Sequence, residues 1–150
     1  MADTPNYDRG WRFAVREWNR FGDYAKLSPA VRTVLLVSAA QGVIDNGGLQ
    51  YFFENDFEGQ PPYSEFVEMY RAIGAKEEAD ALAAAVELFP FSEPHLKRTL
   101  RDEFVTQFLH KGSHIASSPF KAHTDVLCGS KNVYPLLEKF VQEHADEFPS

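Results

Sequence analysis

Five histidines and one cysteine are the residues of this 150-residue chain best suited to bind a metal ion. His110 and His114 are four positions apart and would share one face of a helix, but Gly112 lies between them. Three further candidates follow in a stretch without helical spacing: His123, Asp125 and Cys128. A zinc site needs three or four ligands of the right type in a defined geometry. We therefore expect surface or hydrogen-bonded histidines, with no metal site and no cofactor.

Other catalytic patterns are missing from the sequence. It contains no G-x-S-x-G motif and neither of the glycine-rich loops that cradle phosphate groups. The carboxylate pairs Glu65/Glu68 and Glu77/Asp80 have helical spacing but are predicted to face water, which suits solvation better than acid–base catalysis. We expect a protein that is not an enzyme. The alternative, an uncharacterised enzyme, would place its site near residues 114–128.

The elements that must position these side chains are predicted to be helices. Apolar residues recur at spacings of three and four in most segments, and no segment alternates with the period of a strand. Residues 111–132 are rich in Ser, Gly and His and are predicted to be a loop or a mix of turns. The fold class predicted is all-α, a single compact domain of about six or seven helices. Its parts are residues 1–26 (a helix and linker), 27–90 (the core) and 91–150 (C-terminal helices and the loop).

The N-terminal helix has two distinct faces. Trp11, Ala14, Val15, Trp18 and Phe21 form its apolar stripe, and the opposite face carries Arg9, Arg12, Arg16 and Arg20. The tryptophans are on the wrong face for stacking on bases, and the net charge of −7 opposes binding to phosphate. We interpret the arginines as a solvated face or as a surface that pairs with the protein's own acids, and we expect no direct binding of nucleic acid.

Asn46 and Gly47 can end a helix or form the turn of a β-hairpin. Ser28 and Pro29 predict the start of a helix, and the apolar run from Ala30 to Ile44 has helical length. We therefore predict a helix stop with Asn46 or Gly47 in the left-handed conformation. A short second helix then directs its aromatic residues inward, and the next helices carry apolar faces that include Tyr63–Ile73, Ala75–Phe89, Leu96–Leu109 and Val133–Phe148.

The sequence offers no signal for export or for insertion into a membrane. The N-terminus lacks an apolar h-region, and no apolar run approaches the length of a membrane span. The single cysteine excludes an internal disulfide and is typical of a reducing compartment. We expect a cytoplasmic protein.

Two segments resemble the C-terminal domain of the bacterial DNA mimic proteins, which is largely known as a domain of unknown function. They are SPAVRTVLLVSAAQGVIDNGGLQYFFEN and YRAIGAKEEADALAAAVELFP, which together span about Leu27–Pro90. A third segment, VYPLLEKFVQEHADEF, is a weaker match. The first carries the structural motif Asn46, Gly47, Gly48, Gln50, Tyr51 and Phe52. The resemblance implies an all-helical fold and a homodimer. It also implies a protein partner, namely a transcription regulator whose DNA-binding surface the mimic occupies.

The charge pattern agrees with an acidic partner-binding surface. Residues 1–44 carry six bases and four acids, residues 45–93 two bases and eleven acids, and residues 94–150 seven of each, giving +2, −9 and 0. A DNA mimic must array carboxylates so that a basic protein meets a phosphate-like field. The candidates for that acidic face are Asp45, Glu54, Asp56, Glu58, Glu65, Glu68, Glu77, Glu78, Asp80 and Glu87.

Two other interpretations of the same residues stay open. The acidic faces are also what keeps a small protein soluble, and a net charge of −7 is within the ordinary range for that purpose. A regulatory or immunity-type interaction module would instead use an apolar surface near Tyr51 and Phe52. Binding that weakens steeply with salt distinguishes the electrostatic interface from the apolar one.

Overall fold

The computed structural model describes residues 6–107 and 118–149. These residues form seven α-helices and no β-strand: α1 (Asn6–Phe21), α2 (Pro29–Glu54), α3 (Tyr63–Ala72), α4 (Lys76–Val86), α5 (Arg98–Thr106), α6 (Lys121–Leu127) and α7 (Val133–Glu143). Short 3₁₀ turns occupy Tyr24–Lys26, Pro94–Leu96 and Ala145–Glu147. The predicted all-α, single-domain fold is confirmed.

Helix α2 is the central element of the fold. Its start follows from local chemistry, because the Ser28 hydroxyl accepts a hydrogen bond from the Val31 N–H and Pro29 occupies the first turn. Its apolar residues point in all directions, and Val34, Leu36 and Val37 are fully buried. Helices α1, α3, α5, α6 and α7 all pack against it, so a helix with little polar surface lies inside a shell of amphipathic ones.

The remaining helices pair around α2. Helices α3 and α4, which a short connection joins, pack against each other. Helix α1 packs on α2 and α7, and it approaches α7 closely because Gly10 has no side chain where the Val141 methyl groups lie. The Glu138 carboxylate of α7 accepts hydrogen bonds from the backbone N–H groups of Asn6 and Tyr7 at the start of α1. The N-terminal helix is therefore part of the same domain.

The predicted helix beginning at Pro94 is interrupted. Pro94–Leu96 is a 3₁₀ turn, and α5 begins at Arg98. Leu96 and Leu100 were predicted to face inward, yet they are 50% and 43% exposed, whereas Arg101 is only 1% exposed. The helix buries the face that holds Arg101 because that guanidinium donates hydrogen bonds to the Phe53 and Pro94 carbonyls. Phe108 and Leu109 lie outside the described residues.

The loop predicted over residues 111–132 is wrong in part, because Lys121–Leu127 is helix α6. Phe120 and Leu127, seven positions apart, are both buried. Ala122 and Val126 lie on the opposite side of the helix, and Val126 is 40% exposed. The segment therefore has no amphipathic pattern, and its packing against α2 and α4 was not visible in the sequence. Residues 111–117 lie outside the described part of the chain.

Candidate acidic partner-binding surface

The α2 helix breaks at the two glycines of the Asn-Gly-Gly motif. Gly47 has φ −156° and ψ 20°, and Gly48 has φ 69° and ψ −166°. The break is where the sequence placed it, but the residue with positive φ is Gly48, and not Asn46 or Gly47 as predicted. The conformation of Gly48 is extended with positive φ, a region that is essentially restricted to glycine. The motif therefore redirects the chain within a largely helical segment.

The aromatic residues after the break build the core. Leu49, Phe52 and Phe53 are fully buried, as predicted. The rings that contact Phe52 or Phe53 belong to Phe57, Tyr63, Phe66, Phe89 and Phe120. Tyr51 is different, because it is 50% exposed and its ring occupies the space beside the Cα of Gly47. Only Tyr51 of this group is available at the surface.

A buried hydrogen-bond network fixes the position of Asp45. The Tyr70 hydroxyl donates to Gln41 Oε1 at 2.9 Å, and Gln41 Nε2 donates to Asp45 Oδ1 at 2.7 Å and to the Leu127 carbonyl at 2.8 Å. The Gly129 N–H donates to the same Asp45 oxygen at 2.8 Å. Burial raises the pKa of Tyr70 well above its usual value, so its hydroxyl remains a donor. Asp45 is exposed, but one of its oxygens is committed to this network.

Four of the ten predicted carboxylates lie on the outer side of the α3–α4 pair. Glu68 of α3, Glu77 and Asp80 of α4, and Glu87 just after α4 are all exposed. We call these four residues the α3–α4 acidic face. Arg71 forms an ion pair with Asp80 at 2.9 Å, and the other three carboxylates form no ion pair with any described residue.

The carboxylates between α2 and α3 are largely engaged within the chain. Asp56 forms ion pairs with Arg98, at 3.0 Å, and with Arg101. Burial by itself would raise the pKa of Asp56, but the hydrogen bonds from the two guanidinium groups outweigh it and hold the pKa below its usual value. Asp56 is therefore neutralised by the arginines of the chain itself.

The other three carboxylates of this region also have local partners. Glu58 accepts a hydrogen bond from the Trp18 indole at 3.3 Å, Glu65 lies 4.0 Å from Arg32, and Glu54 accepts from the Gln50 amide at 3.0 Å. Burial raises the pKa of Tyr24 to about 12, with further contributions from the charges of Glu58 and Glu65. Glu58 and Glu65 thus lie beside Tyr24, and Glu65 is one turn before Glu68 on α3.

Glu78 does not belong to a surface at all, which corrects its prediction. It is 3% exposed, and its carboxylate accepts hydrogen bonds from the Ser130 hydroxyl at 2.8 Å and from the Asn132 amide at 3.3 Å. Its position in the first turn of α4 also favours a negative charge. Glu78 ties α4 to the segment before α7.

The comparison with known families agrees with the resemblance noted in the sequence. A sequence profile of DMP19-like proteins matches residues 25–144 of the 150-residue chain, well over half of its length. The chain belongs to the DMP19-like protein family. The match includes α2 to α7 and leaves the whole of α1 outside. No curated protein and no solved structure matches the chain.

The sequence reasoning missed Arg101, the most buried charged side chain of this DMP19-like chain among its described residues. Its Nε donates to the Phe53 carbonyl at 2.8 Å and one Nη donates to the Pro94 carbonyl at 2.7 Å. The available signal was the spacing of Arg98 and Arg101, which places two guanidinium groups on one helix face. Nothing in the sequence says that Asp56 and the end of α2 lie opposite that face.

The residues considered for a metal site are only partly described. His110 and His114 lie outside the described residues, His123 is half-buried, and Cys128 is exposed. Asp125 pairs with Lys121 one turn earlier in α6. Residues 6–107 and 118–149 contain no group of three or more His, Cys, Asp or Glu able to hold a metal ion. In the same residues no helix combines the length and apolar character that crossing a membrane requires.

Proposed function

We propose that this DMP19-like protein is a non-enzymatic protein-binding domain that competes with DNA for a basic DNA-binding regulator. The observation that carries the proposal is the α3–α4 acidic face, where three of four exposed carboxylates have no ion-pair partner in the described residues. The carboxylates that the chain itself neutralises or buries, such as Asp56 and Glu78, are not part of the proposed site.

The geometry of the acidic face indicates what it can offer a partner. Glu77 and Glu87 are ten positions apart and therefore about 15 Å apart along the helix direction. With Asp80 they present three carboxylates with a mean separation of about 7.5 Å along the helix, whereas the phosphates of one DNA strand are about 3.4 Å apart. The face is thus a sparser polyanion than DNA. We expect binding through charge complementarity, with a large dependence on ionic strength.

The proposal is tested by neutralising the three unpaired carboxylates. Purified protein is used as bait for DNA-binding proteins of the source organism, bound protein is released by a stepped salt gradient, and displacement by duplex DNA is measured. The variant E68Q/E77Q/E87Q should lose DNA-displaceable binding. The matched control E103Q/E143Q/D146Q removes the same charge from exposed residues of other elements and should bind like the unmodified protein.

Two results would contradict the proposal. One is a triple variant that binds a regulator as tightly as its matched control. The other is a partner that duplex DNA does not displace.

A second candidate function rests on exposed apolar side chains. Tyr51 and Leu96 are each 50% exposed and Leu100 is 43% exposed, which is the kind of surface that an apolar interaction module would use. Binding through such residues should persist at high salt and should be lost in Y51A or L96A/L100A variants. A cytoplasmic location and a homodimeric state stay predictions.

A further inference from the structure

The exposed face of α1 is a row of four arginines: Arg9, Arg12, Arg16 and Arg20. All four are exposed, and their spacings of three, four and four positions place them along one side of the helix. The row is about 16 Å long, because each residue adds about 1.5 Å. It lies outside residues 25–144, the segment that matches the family profile.

The rest of the molecule does not use these arginines. Their contacts all come from α1 itself: Arg9 with Asn6 at 3.1 Å, Arg12 with Asp8 at 3.1 Å, Arg16 with the Phe13 ring at 5.8 Å, and Arg20 with Glu17 at 4.0 Å and the Phe21 ring at 4.9 Å. Four arginines and two acids leave a net charge of +2 on the face. No contact among the described residues joins the row to another helix.

The α3–α4 acidic face has matching dimensions and the opposite sign. Glu77, Asp80 and Glu87 are spaced by three and seven positions and form a row about 15 Å long. Together with Glu68 they carry four negative charges, and the neighbouring Arg71 and Lys76 reduce the net charge to −2. Helix α1 packs on α2 and α7, whereas α4 packs on α3 and α6, so the rows belong to different elements of the fold.

We propose that the arginine row of α1 binds the α3–α4 acidic face of a second copy of this chain. The contact joins two different surfaces and is therefore head-to-tail rather than symmetric about a two-fold axis. Exposed ion pairs are individually weak, so the association is weak and sensitive to salt. The second copy covers the acidic face until a partner with more positive charge displaces it. The proposal does not depend on the function proposed above, because it involves only this chain.

The test uses two charge-reversed variants and their mixture. In R9E/R16E both rows of a chain are acidic, and in E77K/E87K both are basic, so neither variant pairs with itself. Sedimentation equilibrium at about 0.15 M salt, where the Debye length of about 8 Å screens the overall repulsion between copies, measures self-association. Each variant should associate at least about tenfold more weakly than the unmodified protein. An equimolar mixture should restore association, since the acidic α1 row of one variant then faces the basic α4 row of the other.

Two controls separate this contact from other effects. K97E/K139E changes the net charge by the same amount as R9E/R16E at bases outside α1 and should associate like the unmodified protein. Circular dichroism and thermal unfolding establish that each variant is folded, and 1 M salt, with a Debye length of about 3 Å, should abolish the association.

The proposal is overturned if the unmodified protein at millimolar concentration shows no association that 1 M salt abolishes, or if the mixture does not restore that salt-sensitive association. It is also overturned if R9E/R16E associates normally while losing retention of a short DNA duplex. The row would then bind phosphate groups.

Discussion

Replacing Gly48 by alanine should destabilise the fold by about 2–4 kcal/mol. At φ 69° and ψ −166° a side chain adds backbone strain of about 1–3 kcal/mol. The new Cβ would also lie 2.8 Å from the Cγ2 atom of Thr124 in α6, closer than real Cβ contacts, so α6 or the Thr124 side chain must shift. Overpacking of this kind costs about 1 kcal/mol or more. For a chain of this size the sum corresponds to a fall in melting temperature of about 5–15 °C.

The same substitution six positions earlier serves as the matched control. A Cβ at Gly42 would meet no atom within 4 Å, and Gly42 lies in the helical part of α2. Gly42→Ala should therefore stabilise the protein by about 0.5–1 kcal/mol, the opposite sign. Urea unfolding followed by circular dichroism measures both free energies of unfolding. Equal stability of Gly48→Ala and the unmodified protein, within about 0.5 kcal/mol, would refute the reasoning.

A double-mutant cycle separates the two contributions at Gly48. Thr124→Ser removes the Cγ2 methyl and keeps the hydroxyl that accepts a hydrogen bond from the Leu49 N–H at 3.3 Å. Gly48→Ala and Thr124→Ser should show a coupling energy of about 1 kcal/mol, because Thr124→Ser removes the methyl group that the new Cβ would contact. The backbone strain at position 48 remains in the double variant. Absence of coupling would mean that the contact with α6 contributes nothing.

Three further predictions concern the polar contacts of the interior. Arg101→Met should lower the free energy of unfolding by about 2–4 kcal/mol in urea titrations, because two carbonyls lose their donor and Asp56 loses a cation. The ion pairs of Asp56 hold its pKa below 3.8, so their contribution to the free energy of unfolding is present above that pH and is lost as the pH falls through the lowered value. Asp56→Asn removes this contribution, so its stability should fall less steeply with acid than that of the unmodified protein. An unchanged pH profile would contradict this. Tyr70→Phe should cost about 1–2 kcal/mol in thermal unfolding, since it leaves the buried Gln41 carbonyl oxygen without its donor, and a neutral effect would argue against the network.

The sequence by itself determined the start of α2, the buried faces of α3 and α4, and the approximate position of the break in α2. Ser28 and Pro29 mark the start of α2, and apolar residues at spacings of three and four mark the buried faces of α3 and α4. Asn46 and Gly47 mark the break to within one residue of its place at Gly47 and Gly48. These signals are local, because helix caps, glycine conformations and amphipathic spacing act within one or two turns. The concentration of acids between residues 45 and 93 was equally visible.

Only the tertiary structure decided which acids remain free at the surface. Asp56 meets Arg98 and Arg101 from 42 and 45 positions away, and Glu78 meets Ser130 and Asn132 from 52 and 54 positions away. Helical spacing predicts whether a side chain faces its own core, but it does not identify the distant segment that packs beside it. For that reason the sequence could not separate the four residues of the α3–α4 acidic face from the other six predicted carboxylates.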